Sequence, residues 1–175
     1  VTFVPGASDV AVSTVVVTDS PATADGVDAA TVTVTLLDAF GNQRLAGGEV
    51  VTIDSLGTGY SVSSVTDNAD GTYTATITGT VAAADLTVSA KLDGVAITDT
   101  ALVTFVPGAS DVAVSTVVVT DSPATADGVD AATVTVTLKD AFGNQRLAGG
   151  ETVTVDSLGT GYSVSSVTDN ADGTY

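Results

Sequence analysis

The sequence predicts an all-β protein built from tandem copies of one β-sandwich, and three observations carry that prediction. First, residues 1–73 recur at 103–175 with only three substitutions, Leu37/Lys139, Val50/Thr152 and Ile53/Val155. An offset of 102 residues is too long for solenoid repeats of roughly 20–50 residues and suits whole domains in tandem. Second, Thr31–Leu37 alternates: Val32, Val34 and Leu36 fall on one side, Thr31, Thr33 and Thr35 on the other. That period of two marks a half-buried strand. Third, turn residues punctuate the chain at Asp25-Gly26, Gly57–Gly59, Asp70-Gly71 and Asp93-Gly94. No segment shows a helical period.

Taken in order, Val1–Phe3 repeats Val103–Phe105, the end of a full copy. Residues 1–8 therefore read as the tail strand of a preceding repeat and a linker, Pro5-Gly6-Ala7-Ser8. Residues 9–107 form one complete repeat. Residues 108–175 form a linker and a truncated second repeat. Both linkers are short and stiffened by Pro, so little domain motion is expected. Strands are expected at 14–18, 31–37, 49–54, 61–66, 72–78, 85–91 and 95–105. Their inward positions are Val32, Val34, Leu36, Val51, Ile53, Tyr73, Ile77, Leu86 and Val88. The three substitutions agree with this register. Leu37 and Val50 lie on outer faces and become Lys139 and Thr152, whereas inward Ile53 becomes Val155. Seven short strands in about 100 residues is the immunoglobulin-like sandwich pattern. The second copy reaches only Tyr175, the counterpart of Tyr73. Its four strands alone would leave an apolar face open, so the remainder is expected further along a longer chain or from another chain.

Composition narrows the function. The net charge is −17, from 21 acids against four bases. Phosphate backbones and anionic membrane surfaces are repelled, so no nucleic-acid partner and no membrane contact are expected. There is no Cys and no His, which removes disulfides, the usual nucleophilic triads and the common zinc ligands. Ser and Thr are abundant but alternate outward on strands. The chain is not expected to be an enzyme. No apolar run approaches the ~20 residues of a membrane helix.

Several stretches resemble bacterial Ig-like domains of the intimin and invasin type. They are ADGVDAATVTVTLLDAFGNQRLAGGEVVTI (Ala24–Ile53), DGTYTATITG (Asp70–Gly79) and the strand ending ALVTF (Ala101–Phe105). The resemblance covers the whole first repeat and all that is present of the second. It implies tandem seven-stranded immunoglobulin-like β-sandwiches in the extracellular stalk of a bacterial cell-surface adhesin. Gly41-Asn42-Gln43 stands where family members often have Gly-Asn-Pro, and the antibody-type Cys pair and core Trp are absent. Leu86 stands where a tyrosine corner would begin. The function expected is that of a structural spacer, projecting a distal binding region or forming a surface filament. The alternative is a ligand-binding module for glycan or host protein. The expected partners are neighbouring repeats of the same long chain, with lateral or head-to-tail self-assembly as a further partner reading.

Candidate chemistry is sparse. Asp67-Asn68-Ala69-Asp70-Gly71 has the look of a calcium loop, because hard cations take carboxylate and carbonyl oxygens, but it lacks EF-hand spacing. Sandwich topology places Asp19, Asp25, Asp28, Asp54 and Asp85 at the far pole of the first repeat. It places Asp111, Asp140, Asp169 and Asp172 at the near pole of the second. A short linker presses like charges together, which repel, and calcium at the joint would relieve this. Asp111, Asp169 and Asp172 are the expected metal ligands, with Asp9, Asp67 and Asp70 equivalent in the first repeat. The competing reading is that all six are solvated turn formers. Lys91 falls on an outward position, which argues against an isopeptide crosslink. Tyr60 and Tyr162 are either exposed aromatics for glycan stacking or caps on the sandwich end.

Overall fold

The computed structural model describes all residues, Val1–Tyr175. They form two compact units, Val1–Val106 and Pro107–Tyr175, and every regular element is a strand. The first unit holds β1 (Thr14–Thr18), β2 (Ala22–Thr23), β3 (Ala29–Thr35), β4 (Val51–Ile53), β5 (Tyr60–Val62) and β6 (Thr66–Asp67). It continues with β7 (Thr72–Gly79), β8 (Ala83–Val88), β9 (Ala90–Leu92), β10 (Val95–Ala96) and β11 (Ala101–Val106).

One sheet runs β1-β3-β7-β5, with β6 also on β7. The second layer comes in two pieces, β10-β9-β4 and β2-β11-β8. Its division corrects the expected strands at 85–91 and 95–105, each of which breaks in two and changes partners. The first breaks at Ser89, whose carbonyl accepts the Asp54 N–H and whose hydroxyl donates to Asp54 Oδ2. The second breaks over residues 97–100, where the Thr98 N–H donates to the Val10 carbonyl and Asp99 accepts the Val15 N–H. The strand expected at 61–66 likewise splits into β5 and β6. β2 has two residues, too few to alternate, and exists because β11 offers it a parallel partner: Ala22 faces Phe105 and Thr23 faces Val106.

The core follows from the alternation. β3 and its extension bury Ala30, Val32, Val34 and Leu36; β7 buries Tyr73, Ala75 and Ile77. The opposite layer answers with Val51, Val88, Ala90, Leu92, Val103 and Phe105. Each Val, Leu, Ile or Phe among them contributes about 1.5–3 kcal/mol when fully buried. Seven of the nine anticipated core residues are buried, and Ile53 and Leu86 are half-buried against the cluster. Tyr60 caps one end, its ring 5.5 Å from that of Phe105 at 41°. Gly79 is required beneath them, because a Cβ there would stand 3.0 Å from both rings. Lys91 is half-exposed and pairs with Asp54 at 2.6 Å.

The second unit keeps β12 (Thr116–Thr120) and β13 (Thr133–Thr137), paired from Thr116↔Thr137 to Thr120↔Thr133. That is the register of β1 on β3, from Thr14↔Thr35 to Thr18↔Thr31. Tyr175 and Val136 exchange both backbone hydrogen bonds at 3.0 Å.

Candidate functional site

The most heavily hydrogen-bonded polar constellation lies where the chain enters each unit. It is built on the turn that ends β3, Asp38-Ala39-Phe40-Gly41-Asn42. Gly41, at φ 81°, lets the chain reverse. The Asp38 N–H donates to the Asn42 carbonyl at 2.9 Å and the Gly41 N–H to the Asp38 carbonyl at 2.9 Å. Asp38 is an acid at the position where the alternation of Val32, Val34 and Leu36 calls for an apolar residue, and it is 3% exposed. Its carboxylate stays charged because donors surround it. The N–H groups of Phe40 and Asn42 reach Oδ1 at 3.0 and 2.9 Å, and the Asn42 amide nitrogen lies 3.0–3.1 Å from both oxygens.

A further donor comes from the linker: the Gly6 N–H reaches Asp38 Oδ2 at 2.8 Å. That bond, then the Asn42 side chain and backbone, hold the Asp38 carboxyl down at about 2. Arg44 grips the same linker residue from the other side, its Nη1 donating to the Gly6 carbonyl at 2.5 Å. Glu49 completes the grip. Ser8 Oγ donates to Glu49 at 2.6–2.9 Å, and Arg44 Nε stands 3.7 Å from Glu49 Oε1. Tyr73, rising from the core, accepts the Glu49 N–H on its hydroxyl at 3.1 Å. Gly71 underlies the assembly at φ 85°, and a Cβ there would collide with the Arg44 carbonyl.

The second unit repeats this clamp. Gly108 N–H reaches Asp140 Oδ2 at 3.0 Å, and Arg146 Nη1 donates to the carbonyls of Gly108 at 2.6 Å and Pro107 at 3.4 Å. Ser110 donates to Glu151 at 2.6 Å, Arg146 Nε is 3.3 Å from Glu151, and the Glu151 N–H donates to the Tyr175 hydroxyl. Burial pushes the Asp140 carboxyl up, but Asn144, Gly108 and the turn amides outweigh it and the net direction is down. Chemically the clamp fixes a stretch of linker backbone through charge-assisted hydrogen bonds.

The residues singled out for calcium are placed as follows. Asp9 and Asp111 each cap their own turn through Oδ1, onto Ala11 and Ala113. Asp67 accepts from Gly48 and Ala69, and Asp169 from Gly150 and Ala171. Asp70 and Asp172 accept the N–H and hydroxyl of Thr72 and Thr174, and those bonds lower both carboxyls. No group of three or more acids is gathered at metal-binding spacing. Tyr60 packs on Phe105, while Tyr162 is exposed.

Sequence reasoning missed Asp38, Arg44 and Glu49 as a unit. A signal was there in the composition. Among 21 acids the only two Glu are Glu49 and Glu151, and the only two Arg are Arg44 and Arg146. Long side chains used once per repeat, five residues apart and flanked by Gly, reach for something beyond their own turn.

The chain matches the family model of invasin domain 3 over residues 9–108 and again over 111–175. Among solved structures it is similar to invasin, a bacterial integrin-binding protein, with 30% identity over 82% of this chain and 29% of that one and a TM-score of 0.67. It is also similar to the Escherichia coli adhesin FdeC, with 30% identity over 80% of this chain and 44% of that one and a TM-score of 0.55. Yersinia pseudotuberculosis InvD shares the fold, at 24% identity over 98% of this chain and 54% of that one, TM-score 0.57. A search of curated proteins found no match. The chain thus spans about a third to a half of the length of these structures. With the model matched in both repeats and the sandwich in place, this chain belongs to the invasin domain 3 family of bacterial immunoglobulin-like adhesin domains.

Proposed function

We propose that these repeats are spacers in the extracellular stalk of a bacterial surface adhesin, and that the clamp is what makes them so. The observation that carries this reading is the grip of the clamp on the linker residues. β11 ends at Val106, and the next two residues, Pro107 and Gly108, are already held by Asp140 and Arg146. A spacer needs length and stiffness rather than a ligand pocket, and near-identical copies suit that need. Invasin is an integrin-binding protein, and this chain aligns with 29% of it; the spacer reading leaves contact with a host to other parts of the molecule.

The test is small-angle scattering on a chain of two complete repeats. The expected profile is that of an extended particle with a sharply defined maximum dimension. Asp140→Ala with Arg146→Ala should release the linker and broaden the distance distribution. A parent profile already as broad as the double variant would rule the reading out. The competing ligand-binding reading is tested on one repeat with a glycan array and a cell-binding assay, where no saturable binding is expected.

A further inference from the structure

β1 is an edge strand, bonded to β3 on one side only. Its sequence, Thr14-Val15-Val16-Val17-Thr18, reads the same in both directions. Residues of an antiparallel strand turn their backbone groups alternately to one side and the other. The Val15 N–H turns away from β3, because it donates to Asp99 Oδ2 at 2.9 Å. Val17, two residues on, turns its N–H and carbonyl the same way. A second β1 laid antiparallel about Val16 would set Val15 opposite Val17 of the second copy, each with its outward N–H and carbonyl facing the other. Val15 and Val17 would then exchange both hydrogen bonds, twice over by symmetry. Long apolar edges of this kind invite pairing, and proteins blunt them with inward-reaching charges. Asp99 fits that description. It comes from the break between β10 and β11, where the Thr98 N–H also ties to the Val10 carbonyl.

We propose that the β1 edge is a pairing surface for β1 of a second copy of this chain, and that Asp99 keeps it closed. The Asp99 carboxylate occupies the place that the Val17 carbonyl of the second copy would take. Two such carboxylates, one per copy, would also repel. Near-identical repeats crowded on one chain or one surface are the setting in which inter-domain mispairing is a characteristic failure, so a closed edge has a use there. The proposal does not depend on the spacer reading.

The chain has no cysteine, which gives a direct test on all 175 residues. Val16 is half-exposed and would face its own copy across the symmetry axis as a non-hydrogen-bonded pair, close enough for a disulfide. Val16→Cys alone, treated with a mild oxidant, should give little disulfide dimer on a non-reducing gel. Adding Asp99→Ala should raise the dimer about tenfold, the factor that corresponds to about 1.4 kcal/mol. Asp99→Asn, whose amide oxygen still accepts the Val15 N–H, should stay near the parent level. Thr14→Cys with Asp99→Ala should stay low, because Thr14 would face Thr18 rather than itself. No rise with Asp99→Ala overturns the proposal. So does an equal rise with Thr14→Cys, which would report loosened or unfolded chains rather than a paired edge.

Discussion

The first and second units differ at three of 73 aligned positions, yet the same side chains live in opposite surroundings. Val15 is 3% exposed and its counterpart Val117 65%; Val32 is 0% exposed and Val134 38%. The linker clamp shows no such divergence. Asp38 and Asp140 are buried alike and take the same turn amides, the same linker glycine and the same Asn. The difference lies in how far each feature reaches along the chain. The clamp closes among residues that lie between Gly6 and Tyr73, all of which have counterparts in the second unit. The sandwich core closes only when β8, β9 and β11 cover β3 and β7, and no counterparts of β8–β11 follow Tyr175 within these 175 residues. Alternation tells a strand which face is apolar; only a non-local partner makes that face a core.

The strongest way to break this comparison is to separate the units. Residues 1–106 should melt in one cooperative transition, because their core draws only on themselves. Residues 107–175 should show no cooperative transition by circular dichroism. Appending a copy of residues 74–106 after Tyr175 should create a second cooperative unit. A sharp transition from 107–175 alone would mean that the non-local strands matter less than their burial suggests.

A single core substitution should distinguish the units next. Leu36→Ala removes a fully buried side chain and should cost about 2–5 kcal/mol. Leu37→Ala, on the outer face where the other copy carries Lys139, should cost about 1 kcal/mol or less. Leu138→Ala sits in the unit without a closed core and should leave the main transition unmoved. Thermal melts of the three variants read the order directly. Equal losses from Leu36→Ala and Leu37→Ala would put the register of β3 in error.

How much was legible in the sequence follows from the same distinction. β3 from Thr31 on and β7 were readable because Thr and apolar residues alternate without interruption along them. The interruptions at Ser89 and across residues 97–100 were not, because they arise where a strand trades one neighbour for another, and that trade is a property of the partner. β2 carries no signal of its own, since two residues have no period and its parallel bond to β11 joins positions about 83 apart. The clamp was missed for a different reason. Asp38 and Asn42 read as ordinary turn formers, and nothing local says that the remaining acceptor capacity of Asp38 is spent on a glycine 32 residues earlier.

Acid should open the clamp in both units in one window. The Asp38 carboxyl, ordinarily near ~3.9, is held at about 2 by Gly6 first and then by Asn42. A carboxyl lowered by folding stabilises the folded form above its unfolded value, and that contribution is lost as pH falls through the folded value. The loss therefore belongs between about pH 4 and pH 2. Asp140 is lowered too, so the Gly6 and Gly108 amide resonances should move together there. Asp38→Ala should flatten the pH dependence of the first unit's melting over that interval. If the glycine amides keep their positions to pH 2, the carboxylates are not what holds the linker.

The smallest effect expected is that of calcium, and it separates what one unit can do from what two complete repeats can do. Within a unit, Asp9, Asp67 and Asp70 each spend oxygens on backbone amides, at Ala11, at Gly48 and Ala69, and at Thr72. A calcium ion takes six to eight oxygens at about 2.3–2.6 Å, and no three acids are gathered to begin such a shell. Chelation should therefore leave the melting of residues 1–106 unchanged. A carboxylate bonded to one amide still has lone pairs free, so the same six residues can serve a cation once oxygens arrive from outside the unit. A chelator-sensitive melting temperature seen only in two complete repeats would make Asp111, Asp169 and Asp172 ligands of a shared ion. Sensitivity already present in residues 1–106 would contradict the geometry of these turns. Insensitivity in both would make all six Asp turn formers and leave the stiffness of the proposed stalk to the clamp.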